Sequence, residues 1–244
     1  MRQCSGMTPE QPGQTRYVSQ EILLSGGALT AGVARVGDTV RRPSSSATSL
    51  VRDVLLHLER AGFGGAPRWL GMDEQGRQIL SWIEGDTFTE RGRMHPYIGD
   101  PPDRVIFSDE QISASMRLLR HFHDAFDAQV ICHGDYGPWN LVWRDGLPAA
   151  IIDFDNSYPG DAGDDVAYAL RMFVSYGLGP FDSRGFVRRT EGALAAYGKD
   201  FAVPAILERE YARAEERCRR NGWERQLAKL ALERAWLVEN RSLL

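Results

Sequence analysis

Cysteine is scarce in this sequence. Cys4, Cys132 and Cys218 are odd in number and far apart, so they build neither a disulfide framework nor a zinc-ligand spacing. That usage points to a reducing, cytoplasmic setting. Long apolar runs are missing as well. Nowhere do roughly 18 apolar residues follow one another, which excludes a membrane-spanning helix. The opening residues Met1-Arg2-Gln3-Cys4-Ser5-Gly6 have no apolar stretch behind them and do not read as a secretory signal. Positive charge is not in excess: the net charge of −4 argues against nucleic acid as the main partner. No internal repeat is found. What remains is ordinary globular composition, 43% hydrophobic and 25% charged, in a 244-residue chain long enough for one or two domains.

Residues 1–18, rich in Gln, Ser, Thr, Gly and Pro, read as a loose tail. Short strands are expected at Glu21–Leu24, Val33–Val36 and Thr39–Arg42. The second and third are joined through Gly37-Asp38 and stopped by Pro43, making an antiparallel meander. Ser49 to Ala61 reads as a helix with Leu50, Val51, Val54, Leu55 and Leu58 on one face, closed by Gly62. A strand pair at Arg68–Gly71 and Gln78–Trp82 follows, then a connector, and a Gly-, Pro- and Arg-dense loop over 90–105. Beyond it the pattern turns helical. Ser108 and Gln111 fit a capping box ahead of Ile112, Met116, Leu119, His123 and Phe126 at helical spacing. The last 60 residues carry a stripe of Trp223, Leu227, Leu230 and Leu237, read as core. A sheet-rich first third and a helical remainder imply an α+β protein of two lobes: a small antiparallel-sheet lobe over 19–82 and a mostly helical lobe over 83–244.

Chemistry concentrates between Val130 and Asp155. The apolar runs 141–143 and 149–152 flank an Asp145-Gly146 turn and should pair as a hairpin. That pairing sets Asn140, before the first strand, beside Asp153, after the second. Neighbouring strands lie about 4.8 Å apart, so two oxygen ligands there can share one hard cation. Magnesium suits such a site, with few protein oxygens and with water and phosphate completing its shell. Asp135 stands five residues before Asn140, the spacing of a kinase catalytic loop, whose Asp receives the acceptor hydroxyl's proton.

The string His133-Gly134-Asp135-x-x-x-x-Asn140 with Ile152-Asp153-Phe154-Asp155 resembles the aminoglycoside phosphotransferase and choline kinase-like family. Ser25-Gly26-Gly27, Val36-Gly37-Asp38-Thr39-Val40-Arg41-Arg42-Pro43 and Asp165-Val166-Ala167-Tyr168-Ala169-Leu170 look like a bacterial branch of it. The resemblance implies a bilobal protein-kinase-like fold. It implies magnesium-dependent transfer of the γ-phosphate of ATP or GTP to a small-molecule hydroxyl. It assigns Ser25, Gly26, Gly27 and Gly32 to a phosphate-covering loop, and Asp135 to catalysis. Asn140 and Asp153 become the metal ligands, and the Ser81 carbonyl and Ile83 amide become purine contacts at a hinge. The family's phosphate-gripping lysine is absent. Arg42, sharing a strand face with Val40, is expected in its place, with Asp53 and Glu59 the acids to consider as its partner.

From His133 to Asp182 there are eight Asp, no Glu, and only Arg144 and Arg171 as bases. The surplus, Asp161 and Asp164 among it, could attract a cationic acceptor such as an aminoglycoside. His133 is expected to brace the catalytic loop, His123 to be a core histidine, and Asp165 to cap a helix or tether the loop. Two other readings stand beside the kinase. One is a nucleotide-binding pseudokinase, motivated by the missing lysine–glutamate pair. The other is a metal-dependent hydrolase using His133, Asp135, Asp153 and Asp155.

Overall fold

The computed structural model describes residues 20–24, 32–88, 105–178 and 180–244. The tail expected over 1–18, the residues Ser25, Gly26 and Gly27, and nearly all of the loop expected over 90–105 lie outside the described residues.

Five short strands form one antiparallel sheet in the order β1-β2-β3-β5-β4. They are β1 Glu21–Leu23, β2 Ala34–Val36, β3 Thr39–Arg42, β4 Trp69–Met72 and β5 Gln78–Ser81. The first three are the expected meander. Alternation decides what faces inward: Val40 pairs with Leu80 and Arg42 with Gln78, so all four sit on one face. Leu80, Gln78 and Arg42 are buried there. Helix α1, Thr48–Arg60, covers this side with Val51, Val54, Leu55 and Leu58, the stripe expected from its spacing.

The connector after β5 is tied down early. Asp86 and Trp143 exchange backbone hydrogen bonds, each 2.8 Å, which fastens the segment leaving the sheet to the hairpin of the following lobe. Gly85 makes this possible. Its φ is +143°, and a Cβ there would stand 2.6 Å from the Trp143 carbonyl oxygen.

The helical part begins with α2, Asp109–Asp124, opened by the expected capping box. Ser108 Oγ accepts from the Gln111 N–H at 3.1 Å, and Gln111 Oε1 accepts from the Ser108 N–H at 2.9 Å. Its buried face, Ile112, Met116, Leu119 and Phe122, packs against α3, Ala162–Val174, α4, Ser183–Tyr197, and the hairpin. Helix α5, Val203–Asn221, lies on α3, and α6, Glu224–Asn240, lies on α5. The expected C-terminal stripe is narrower than its spacing implied. Leu230 and Leu237 are buried, whereas Trp223 stands at the start of α6 and is 39% exposed.

Two antiparallel strand pairs sit between these helices: β6, Ile131–Cys132, with β9, Tyr158–Pro159, and the hairpin of β7, Leu141–Arg144, with β8, Leu147–Ile151. The hairpin turn has Asp145 at φ 51° and Gly146 at φ 81°, the left-handed pair that matches strand twist in a two-residue loop. The whole is the α+β, bilobal protein-kinase-like architecture expected.

Phe122 is wholly buried and touches Phe63, Phe126 and Phe154. Phe122→Ala should cost about 3–5 kcal/mol, because the lost contacts leave a cavity where both lobes meet. Ser108→Ala should cost about 1 kcal/mol. Urea unfolding midpoints measure both, and equal losses would contradict this ranking.

Candidate active site

The catalytic-loop segment is shaped by one buried carboxylate. Asp165, in the first turn of α3, accepts the His133 N–H at 2.6 Å on Oδ2 and the Gly134 N–H at 2.9 Å on Oδ1. His123 Nε2 approaches the same Oδ2 at 3.1 Å, while its Nδ1 meets the Tyr197 hydroxyl at 2.7 Å. His123 is thus the satisfied core histidine expected, and Asp165 is the tether. Gly134 must be glycine: its φ is +77°, and a Cβ would lie 2.3 Å from the Asn156 carbonyl oxygen.

His133 braces the same loop from the other side. Its Nε2 meets the Ile152 carbonyl oxygen at 3.0 Å, and the Asp135 N–H reaches its Nδ1 at 3.3 Å. With one nitrogen donating and the other accepting, the ring is held as the neutral Nε2–H tautomer. Both nitrogens are therefore engaged, and His133 has none to offer a metal. Among the described residues no group of three or more His, Cys, Asp and Glu is arranged to hold a metal ion. The hydrolase reading loses its ligand set.

Asp135 is brought into place by this bracing and held by three donors. Tyr168 Oη donates to Oδ1, while Asn140 Nδ2 at 2.9 Å and Trp139 Nε1 at 3.4 Å donate to Oδ2. Asn140 also donates to the Asp135 carbonyl oxygen at 2.9 Å. Its amide nitrogen is committed to Asp135, which leaves Oδ1 as the atom available to a cation.

The hairpin does what its sequence implied. Leu141 pairs with Ile151, and the Ile152 N–H donates to the Asn140 carbonyl oxygen at 2.9 Å, so Asn140 and Asp153 flank the same end of the hairpin. Asp153 adopts a left-handed backbone, φ 68° and ψ 63°. For a residue with a Cβ that conformation is costly, and such strain collects where function requires it. Protein packed around Asp153 pushes its carboxyl above the ordinary carboxylate range, Arg42 opposes this, and Asp155 and Asp135 add to it.

Arg42 reaches this point from the sheet. Its Nη1 donates to Asp155 Oδ1 at 2.5 Å, and its Nη2 to Asp153 Oδ1 at 2.8 Å and Asp155 Oδ2 at 2.7 Å. Neither acid considered as its partner is there: Asp53 pairs with Arg52 and Glu59 with Arg68. Helix α1 presents both acids outward, and the arginine, longer than a lysine and forked, spans directly to the two aspartates of the other lobe. The chain's two lysines, Lys199 and Lys229, lie after α4 and in α6, remote in sequence from β3.

Ser81 ends β5 opposite Thr39, and Ile83 follows in the connector. Gly26 and Gly27 lie outside the described residues; Gly32 has φ +82° just before β2. Asp161 and Asp164, counted as surplus acid, are both engaged. Asp161 caps α3 through the Gly163 N–H, and Asp164 pairs with Arg213 at 2.7 Å. Tyr168 is the site residue that sequence reasoning missed. It lies three positions after Asp165 and so shares its helix face, which was the available signal.

The small antiparallel sheet, the tethered connector, the Asp-bearing loop and the hairpin beside it make up a protein-kinase-like fold. Residues 100–203 match the model of the phosphotransferase enzyme family, in keeping with the resemblance carried by the motifs. A curated relative, the trifolitoxin immunity protein of Rhizobium leguminosarum bv. trifolii, is 34% identical over 175 residues. The match covers 62% of this chain and 61% of that protein. Among solved structures, the streptomycin–ATP–APH(2")-IIa ternary complex superposes with a TM-score of 0.56 at 12% identity, covering 88% of this chain and 91% of the other. Macrolide 2'-phosphotransferase MphH from Brachybacterium faecium gives 0.54 at 14% identity, covering 87% and 91%. At these identities the likeness establishes the fold.

Removing the tether should be expensive. Asp165→Ala strands the buried His133 and Gly134 N–H groups, each worth about 1–3 kcal/mol. A total loss of about 2–5 kcal/mol is expected in urea unfolding. A loss under about 0.5 kcal/mol, the range of ordinary surface substitutions, would show that the loop is held otherwise.

Proposed function

We propose that this chain is a small-molecule kinase, transferring the γ-phosphate of ATP or GTP to an acceptor hydroxyl. One observation carries the reading: Asp135, Asn140 and Asp153 converge at one end of a single hairpin, with Arg42 arriving from the opposite lobe. The phosphotransferase family match and the kinase-like fold support it.

The residues present suit magnesium. Asn140 Oδ1 and the Asp153 carboxylate are hard oxygen donors, and no imidazole or thiolate competes with them in this pair. A bound magnesium ion would draw charge from the phosphates and fix their orientation. Every other task falls to side chains. Asp135 orients the acceptor hydroxyl and takes its proton as the new oxygen–phosphorus bond forms and the bond to the departing nucleoside diphosphate breaks. Tyr168 and Asn140 fix the rotamer of that carboxylate. Arg42 would hold phosphate oxygens, aided by the glycines Gly26 and Gly27. The Ser81 carbonyl and Ile83 amide would meet the purine at the boundary between the lobes, residues 82–83.

The pseudokinase alternative is favoured by one feature, the occupation of Arg42 by Asp153 and Asp155 where a lysine–glutamate pair would normally stand. The two readings part in one assay. Wild-type protein should be stabilised by Mg-nucleotide and phosphorylate a member of a panel of aminoglycosides, amino alcohols, sugars and hydroxy acids. Asp135→Ala should keep the nucleotide-dependent rise in melting temperature and lose roughly 10²- to 10⁴-fold in turnover. Stabilisation without any transfer would favour the pseudokinase; undiminished transfer by the variant would remove Asp135 from the mechanism.

Asp153 also supplies a pH test. A carboxyl whose folded-state pKa lies above its unfolded value penalises the charged fold, so the ion-free protein gains stability as pH falls through the folded value. Asp153→Asn cannot make that gain. Without divalent ions, the Tm of the variant minus that of wild type should decrease from about pH 7 to about pH 4. A difference that grows instead would reverse the direction assigned to Asp153.

A further inference from the structure

A cavity of about 320 Å³ opens beside the catalytic loop. Gly134 and Tyr168, which donates to Asp135, line it, and its charged lining is Asp164, Asp165, Glu210, Arg213 and Arg217, Asp165 being wholly occupied by the loop N–H groups and His123. On the kinase reading the position suits an acceptor, because Tyr168 on its wall is hydrogen-bonded to Asp135.

The charges in this cavity are arranged unequally. Its carboxylates are buried and satisfied. Glu210, whose side chain is 3% exposed, is paired at 2.9 Å with Arg171, itself buried. Asp164, 10% exposed, accepts from Arg213 at 2.7 Å and from the Tyr158 hydroxyl at 3.1 Å, with Arg209 at 3.9 Å. The arginines are more accessible: the side chains of Arg213 and Arg217 are 42% and 39% exposed. Arg217 stands 3.5 Å from a Glu210 that Arg171 already neutralises, so its charge is a second cation on one acid. It also lies over the Tyr168 ring, 5.5 Å from the centroid, directly above the residue that donates to Asp135. The arginines are thus the more accessible charges of the cavity, and its carboxylates the less accessible ones. Guanidinium forks bind carboxylate or phosphate through paired N–H donors and repel ammonium groups.

We infer that the acceptor carries an oxyanion, a carboxylate or a phosphate ester, close to the hydroxyl that is phosphorylated, and that Arg213 and Arg217 recognise it. This rests on the kinase reading and replaces the cationic acceptor that the count of aspartates implied. A polycation would have to displace buried ion pairs to reach Asp164 or Glu210, whereas an anion needs only the exposed faces of two arginines.

The test separates this inference from the kinase reading by measuring binding and transfer independently. Three probe pairs serve: glycerate against glycerol, serine against ethanolamine, and glycerol 3-phosphate against glycerol, with kanamycin as the polycation. Binding is followed by thermal shift and calorimetry, with and without Mg-ATP, on wild type, Arg217→Gln and Arg213→Gln. Arg220→Gln, an exposed surface position on the same helix paired with Glu216, is the control. At least one anionic probe is expected to bind, with Kd raised tenfold or more by Arg217→Gln and unchanged by Arg220→Gln. Where transfer is seen, the Arg217→Gln loss should fall on KM rather than kcat. Circular dichroism and melting of each variant establish folding, and should Arg213→Gln unfold, Arg217→Gln carries the decision. Carboxylate binding without phosphate-ester binding, or the reverse, identifies which oxyanion is preferred. Anion binding without transfer to any probe would leave the pocket as inferred and overturn the kinase reading. Phosphorylation of kanamycin or ethanolamine with no response to any anion would overturn the pocket and leave the kinase standing, and so would anion binding indifferent to both arginines.

Discussion

The site depends on a single carboxylate that takes no part in chemistry. Asp165 sits at the start of α3 and turns both of its oxygens toward the backbone of residues 133 and 134. A loop with a required glycine and a following proline has little secondary structure to hold it, so its N–H groups need partners from elsewhere. Asp165 supplies them from a helix that is buried almost throughout. One turn later the same helix supplies Tyr168 to Asp135. Helix α3 thus aims the catalytic loop twice, first by its backbone and then by the carboxylate at its centre, and the loop inherits the rigidity of the helical core.

The second constraint joins the lobes. The sheet carries Arg42 and the helical lobe carries Asp135, Asn140 and Asp153, so the proposed site needs the two kept in register. Here the hinge backbone does part of this through Asp86 and Trp143, and Arg42 does the rest through Asp153 and Asp155. The Arg42 side chain is only 10% exposed. A forked guanidinium suits the task because it bonds two carboxylates at once, which an ammonium on a flexible stem does with less directional definition. The consequence is that Arg42 and Asp153, proposed to hold phosphate and metal, are already in contact with one another. On the proposed reading, a metal–nucleotide pair would have to compete with this existing ion pair.

Much of this was legible in the residues. The hairpin, its Asp-Gly turn, the capping box at Ser108, the stripe of α1 and the shared face of Val40 and Arg42 all follow from periodicity and turn chemistry, which act locally. The roles of His133, His123 and Asp165 were open between a few alternatives, because a hydrogen-bond partner 32 or 42 residues away leaves no local trace. The partner of Arg42, more than 110 residues distant, was sought on the neighbouring helix and lay across the lobes. Tyr168 was missed for the same reason. A tyrosine on a helix face reads as core until the loop folds against it.

The charge of the pocket shows where composition stops informing. Eight aspartates against two arginines over residues 133–182 describe an acidic stretch of chain, but a ligand meets surfaces, and a surface is assembled from several stretches. Asp164 belongs to that acidic segment; Arg213 and Arg217 come from α5, some 50 residues later, and fold over it. A carboxylate that is paired and buried contributes little field to an approaching molecule, because its partner cancels it at short range and its own oxygens are occupied. The partly exposed arginine side chains are the more accessible members of these pairs. An acidic sequence and an anion-seeking cavity are therefore compatible, and the sign of the ligand follows from which member of each ion pair faces outward.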